Sequence, residues 1–499
     1  MNKFWLIALL FLSAATASCH RADDDPLDNV SSVPAADRPA LQSCLAESDL
    51  PGNHWPARAG KARCWLSLPQ SPSLGEIATL LKEPHGAVEL ERRYREILAE
   101  HYADPMHRDA LFRAYSDFQT ARGQQLADIW LSKSPGSAFA KLAKGDAALG
   151  AAWTARGGAY AAQTTDAQFA AMTEHLKVAV AFLRAASEAE PKLSPACVDL
   201  MDIGNMAGDP SLRDSAEQDC MKADPLSLHV NDMRLTARDP RWGGSFDELD
   251  RTVDEIRSHV AESPMLASLL SKGIGRRAYM QLEDQSTLLP IRSALESAAS
   301  TAPDVFYLDK AGVVAMQADD YAKAGNYLSQ AIRFAPDDVD VLINHAEWAV
   351  RTGNREQALS DLHHAQAQPD DCGCEDHAGI ASALLELGQV RDGRLELQRA
   401  TRNPDQRLWA MTSLCQSYFM GGFEREGALS CTSQFAAQFP DNSEALYLRA
   451  LALYIVHDPA AKEFDSRFRL RADRNDPGQQ KEIQQLDQFA QPGVRPGKK

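Results

Sequence analysis

The residues of this chain whose type and spacing most readily do chemistry are its nine cysteines. Cys44 and Cys64 bracket a short Pro/Gly-rich segment around Trp55, and a bridge there would staple a piece too small for a core of its own. Cys197 and Cys220 fall on opposite arms of one predicted helical hairpin, as do Cys415 and Cys431. Antiparallel arms bring together positions whose repeat numbers sum to a constant, so both pairs are expected to be adjacent. Buried free thiols acting as small apolar side chains are the alternative. Cys372 and Cys374, in DDCGCEDH, stand beside Asp376 and His377. A bridge across one residue is strained, and one C-x-C without a second ligand pair does not define a metal site. No metal and no cofactor is expected.

A second group pairs tryptophan with arginine: Trp153 and Arg156 in AAWTARGGAYA, Arg241 and Trp242 in DPRWGGSFDEL. Trp and Arg are frequent binding anchors. The plainer reading is that each Trp fills a gap in a hairpin and each Arg caps helix carbonyls. Phosphate-cradling, zinc-protease, nucleophile-elbow and dinucleotide motifs are absent, so no catalytic residue is assigned and no enzyme is expected. A net charge of −17 argues against nucleic acid, whose binding rests on phosphate neutralisation.

The elements that position these residues are helices. Asp304–Pro336 reads as two amphipathic helices, about Val305–Gln317 and Asp320–Phe334, with Gly312, Ala324 and Ala331 where they approach and Leu308, Leu328 and Ile332 between. Ala324, Ala358, Gly393 and Ala428 repeat one small slot about every 34 residues; Ala346 and Ala381 repeat the Gly312 slot, and Gln416 departs from it. Pro336, Pro369, Pro404 and Pro440 follow as stops, since proline cannot continue a helix. One hairpin cannot bury both apolar faces alone, so it recruits a neighbour of the same kind.

This small–large–small–Pro pattern resembles the tetratricopeptide repeat family over Asp304 to about Val456: four units and an added helix, Ser443–Val456. The resemblance implies an all-α solenoid whose first helices line a concave groove. By register that groove holds Asp309, Val313, Gln317, Ile343, Glu347, Arg351, Ser382, Glu386, Ser417 and Met420. The Lys/Asn clamp by which some relatives hold a peptide carboxylate is missing; Asp309, Ile343, Ala378 and Ser413 stand at its lysine slot. Residues 304–456 carry 22 acidic and 12 basic side chains, which suits a basic or extended partner.

Residues 73–303 are expected to be helical but less regular, with hairpins closed at Pro135, Pro191, Pro225, Pro264 and Pro303. Ser245 and Glu248 form a predicted capping box, and Gly243-Gly244 a sharp turn. The W-x-x-R-G and R-W-G-G-S landmarks resemble an uncharacterised bacterial domain family often fused to such repeats; it lends no activity.

Met1–Ser18 has Lys3, an apolar run and small residues before Cys19, the pattern of a secretory signal. Thr16-Ala17-Ser18-Cys19 resembles a bacterial lipoprotein box, with Cys19 the lipidated residue; cleavage after Ala17 is the alternative. Residues 19–72 then read as a lipid-attached tether and a stapled segment, and 458–499 as a largely flexible tail with a helix near Ala460–Leu470 and a possible one near Gln479–Phe489. The function expected is a periplasm-facing helical-repeat scaffold, at the outer membrane or soluble, that binds a protein or peptide and meets the membrane only through its lipid. The alternatives are an immunity-type lipoprotein acting through the N-terminal domain, and an envelope-polysaccharide enzyme using Trp153 and Trp242.

Overall fold

The structure is a computed structural model describing residues 25–69, 71–104, 108–157, 164–282, 287–368, 376–404, 406–420 and 422–490. Met1–Ser18, Cys19, Cys372 and Cys374 lie outside the described residues. Within them the chain is helical and holds no strand. No helix among them is long and apolar enough to cross a membrane.

The N-terminal segment carries α1 (Arg38–Ala46) and α2 (Ala59–Trp65). An irregular region follows: α3 (Leu74–Lys82), α4 (Gly86–Ala103), α5 (Ala110–Arg113), α6 (Ala121–Lys133) and the long pair α7 (Ala138–Arg156) and α8 (Asp166–Ala189). Then come α9 (Ser194–Ala207), α10 (Pro210–Ala223), α11 (Leu228–Ala237), α12 (Phe246–His259), α13 (Lys272–Tyr279) and α14 (Arg292–Thr301). The proline spacings therefore each enclose a hairpin, and the wide one from Pro135 to Pro191 is filled by lengthening both arms. Ser245 caps α12 by accepting from the Glu248 N–H, but the Glu248 carboxylate takes the Ser245 hydroxyl at 2.8 Å rather than its backbone, so only half of the expected box forms. Gly243 is left-handed (φ 88°), and a Cβ on Gly244 would strike the Arg238 carbonyl.

The repeats are α15 (Val305–Gln317) with α16 (Tyr321–Phe334), α17 (Val339–Arg351) with α18 (Arg355–Ala367), α19 (His377–Glu386) with α20 (Val390–Ala400), and α21 (Arg407–Ser417) with α22 (Arg425–Gln438). The small slots pack as expected: a Cβ on Gly312 would lie 2.5 Å from Leu328 Cγ, and Ala324, Ala358 and Ala428 are fully buried. One turn recurs between the arms. Asp319, Gly353 and Gly388 are left-handed, and the next N–H returns to the first helix: Asp320 to Ala315 O (2.9 Å), Asn354 to Ala349 O (2.8 Å), Gln389 to Leu384 O (2.8 Å). This is the Schellman closure, which satisfies carbonyls that a helix end leaves unpaired. Asp320 and Asn354 then cap the second helix. His457 and Asp458 repeat the device between α23 (Ser443–Ile455) and α24 (Ala461–Arg471), so the added helix is the first arm of a fifth hairpin.

Three expectations need correcting. The core is continuous through Pro303: Leu295, Ala298 and Ala302 share one cluster with Tyr307, Leu308 and Ala311, so residue 303 is not a domain boundary. The stapled segment is no isolated tether, because Leu27, Leu41, Trp55 and Trp65 belong to that same cluster. Trp55 Nε1 donates to Ala299 O (2.9 Å), the His54 N–H to Ser300 O (2.7 Å), and Arg333 Nε to Cys44 O (2.8 Å). The tail is ordered to Ala490: α25 (Pro477–Ala490) folds back on α23, with Leu486 fully buried.

Candidate functional site

Disulfides join Cys44 to Cys64, Cys197 to Cys220 and Cys415 to Cys431, with Cα separations of 5.8, 5.5 and 5.4 Å. Cys197 lies in the first turn of α9 and Cys220 in the last turn of α10, at the open end of their hairpin. These cysteines are structural.

The residues assigned to the groove lie on the first helices α15, α17, α19 and α21, with Met420 just past the last of these. Neighbouring first helices bond to each other: Asn344 Nδ2 donates to Asp309 Oδ1 (2.8 Å) and Gln416 Nε2 to Glu444 Oε1 (2.9 Å). Val313 and Glu347 are half-buried; Gln317, Arg351, Ser382, Glu386 and Met420 are exposed. Glu347 and Arg351 pair at 2.7 Å, and Gln317 accepts from the Leu288 N–H at 2.9 Å. Three assigned residues are not available. Asp309 is buried between Lys310 and Asn344, and burial raises its carboxyl above the usual carboxylate range. Ile343 is buried in the α17–α18–α19 core. Ser417 is fully buried and accepts from Arg394 Nε at 2.8 Å.

Ser417 fails because α21 is turned by one residue. Cys415, not Gln416, fills the small slot and is bridged to Cys431, and Gln416 bonds to Glu444 on the next first helix instead. The same register puts Phe306 and Trp409 at one repeat position, three units apart, and both are exposed (46% and 45%), Trp409 next to the exposed Leu408. The sequence reading passed over them, although an aromatic two residues into a first helix was a readable signal.

The C-terminal end of the groove is covered by α25. Tyr447 of α23 donates to Gln485 Oε1 at 2.7 Å, and Arg469 pairs with Asp487 at 2.8 Å. Burial, and then Glu444, push the Glu482 carboxyl up to about 7. A like charge disfavours a second ionised carboxylate, so Glu444 favours the protonated form of Glu482.

The two Trp/Arg landmarks do not converge on common neighbours. Arg241 forks onto Asp239 (Nε–Oδ1 3.0 Å, Nη2–Oδ2 2.7 Å), and Trp242 is partly exposed beside Gly243. Arg156 donates to the Gly157 carbonyl at 3.1 Å and stacks 5.7 Å from the Trp153 ring, the capping role of the plainer reading. Trp153 Nε1, however, donates to Asp202 Oδ2 at 3.3 Å on α9. Asp202 stands near Asp199 on α9 and Asp146 on α7, the last accepting from Gln119 Nε2 at 2.7 Å. Burial pushes Asp202 up to about 6 and Asp146 to about 7; Asp199 is raised by burial and by both neighbours. Among the described residues no group of three His, Cys, Asp or Glu side chains is arranged to hold a metal.

No family model and no curated protein matches the chain. Among solved structures it aligns with the TPR domain of P58(IPK) at 12% identity, covering 80% of this chain and 98% of that one, with a TM-score of 0.20. Yeast Tom70 aligns at 11% identity over 84% and 96% of the two chains, TM-score 0.35. A human IFIT1 dimer solved with PPP-AAAA aligns at 12% over 87% and 100%, TM-score 0.36. The fold itself is an all-α array of helical hairpins with a recurring small slot and left-handed turn.

Proposed function

We propose that this tetratricopeptide-like chain is a non-enzymatic scaffold that binds a protein or peptide along the face of its first helices. Phe306 and Trp409 carry the reading: two large rings at one repeat position, each nearly half exposed on the first helices. Exposed aromatics on a preorganised surface are where binding energy concentrates. The acidic balance of the repeats favours a basic or extended partner. The apolar leader and Cys19 support export and lipid anchorage facing the periplasm, at the outer membrane.

The test is capture from a cell-envelope fraction. Trp409→Ala and Phe306→Ala should each lose the partner that the wild type retains; equal retention removes the groove from the reading. Cys19→Ser should move the chain from membrane to soluble fraction, and a variant that stays membrane-bound ends the anchorage claim.

One observation favours a second reading. Asp202, Asp146 and Asp199, all raised by burial and the first bonded to Trp153, form the raised carboxylate group that an envelope-polymer enzyme would need. Hydrolysis of envelope glycans that disappears in Asp202→Asn would replace the scaffold by that enzyme.

A further inference from the structure

Where the N-terminal segment meets the solenoid, the packing leaves a cavity of about 370 Å³. Its walls come from distant parts of the chain: Arg63 and Leu66 from α2 and its end, Asp109 to Ser116 around α5, Leu228 to Asp232 on α11, Ser268 to Lys272, and Asp304 with Val305 where the repeats begin. The lining is apolar on one side. Phe112 stacks on His229 with ring centroids 4.3 Å apart, and Leu66, Leu228 and Leu269 complete that wall.

The charges on the other side are mostly spent on one another. Asp109 lies 2.5 Å from His229 Nε2 and 3.3 Å from Arg113. Asp304 caps α15 with one oxygen and meets Lys272 at 3.1 Å with the other; Asp232 lies 3.7 Å from Lys272. Arg63 is the exception. Its guanidinium donates no hydrogen bond to any described residue, and burial draws its pKa below the ordinary value, against the fields of Asp304 and Asp109. Ser268, 7% exposed, also lines the cavity with its hydroxyl unpartnered among the described residues. Arg63 is partly exposed, so its unpaired guanidinium remains open to a ligand, and the empty hydrogen-bonding position of the buried Ser268 hydroxyl beside an apolar wall is unusual in a native core.

We propose that this cavity binds a small organic carboxylate with an apolar body, its carboxylate on Arg63 and its body against Phe112, Leu228 and Leu269. Arg63 takes one carboxylate, and a dianion would bring a further negative charge among Asp109, Asp232 and Asp304. The geometry of guanidinium and carboxylate is fork to fork. Occupancy would tie the N-terminal segment, α5, α11 and the first repeat through one ligand, independently of the groove and its partner.

The test uses the full chain with its bridges intact and N-acetylphenylalanine as probe, followed by titration calorimetry. N-acetylphenylalaninamide and inorganic phosphate are the controls. The acid should bind at one site at millimolar concentration or below, with the amide and phosphate each at least about tenfold weaker. Arg63→Gln should weaken the acid by about tenfold or more and leave the amide unchanged. Leu228→Trp, which fills the cavity without altering charge, should abolish binding, and it decides the matter if Arg63→Gln does not fold. The proposal is overturned if the acid does not bind, if acid and amide bind alike, if phosphate binds more tightly, or if binding survives Leu228→Trp.

Discussion

Replacing Arg333 by Met should loosen the N-terminal segment from the solenoid while leaving the repeats intact. The Arg333 side chain is 1% exposed. Its Nε donates to Cys44 O (2.8 Å), its Nη1 to Asp49 Oδ1 (2.9 Å) and Gln330 Oε1 (3.0 Å), and it stacks 4.7 Å from the Phe334 ring. Methionine keeps much of the stem packing and removes the donors. A buried carbonyl left unpaired at Cys44 costs about 1–3 kcal/mol. The Asp49 pair adds little, roughly 0.2–1 kcal/mol, because Asp49 is half-exposed. A loss of about 2.5 kcal/mol raises the open population of the segment roughly 70-fold. The opening stays local, since Trp55 and His54 remain bound to Ala299 and Ser300. Amide hydrogen exchange reads it directly: protection in α1 should fall by that factor and protection in α17 and α18 should not change. Asp49→Asn should lower α1 protection by less than about tenfold. Unchanged protection of α1 in Arg333→Met would refute the reasoning, and so would an equal loss in α17.

Gly312→Ala forces a Cβ to 2.5 Å from Leu328 Cγ and should cost about 1–3 kcal/mol in chemical denaturation, with Ala358→Trp costing more; an unmoved midpoint would mean that the arms can spread. Glu482 is raised to about 7, so its contribution to docking α25 is full below its unfolded pKa near 4.5 and lost as pH rises through about 7. Exchange protection of α25 should therefore fall between about pH 4.5 and 7 and become flat across that range in Glu482→Gln. Replacing Cys197 and Cys220 together by Ala opens a loop of 23 residues and should lower stability by about 3 kcal/mol on the chain-entropy account; an unchanged melting temperature would show that packing alone closes the α9–α10 hairpin.

The sequence by itself determined what repeats locally. A period near 34 residues, small slots at Gly312, Ala346 and Ala381 and prolines after second helices state a helical hairpin and its stacking, because each contact joins residues one or two helices apart. The cysteine pairs on hairpins were readable for the same reason: two antiparallel arms fix which positions meet.

Tertiary structure alone decided what joins distant segments. Nothing near Trp55 announces Ala299, and nothing near Cys44 announces Arg333, 289 residues away. A one-residue turn of α21 moved Ser417 from the groove into the core, because a buried bridge at Cys415 outweighs a side-chain pattern that one insertion can shift. The lining of the cavity at Arg63 is scattered from residue 63 to residue 305 and carries no spacing that a period could reveal. Local periodicity encodes which face of a helix is buried; which distant surface covers that face depends on the superhelix that the whole array winds.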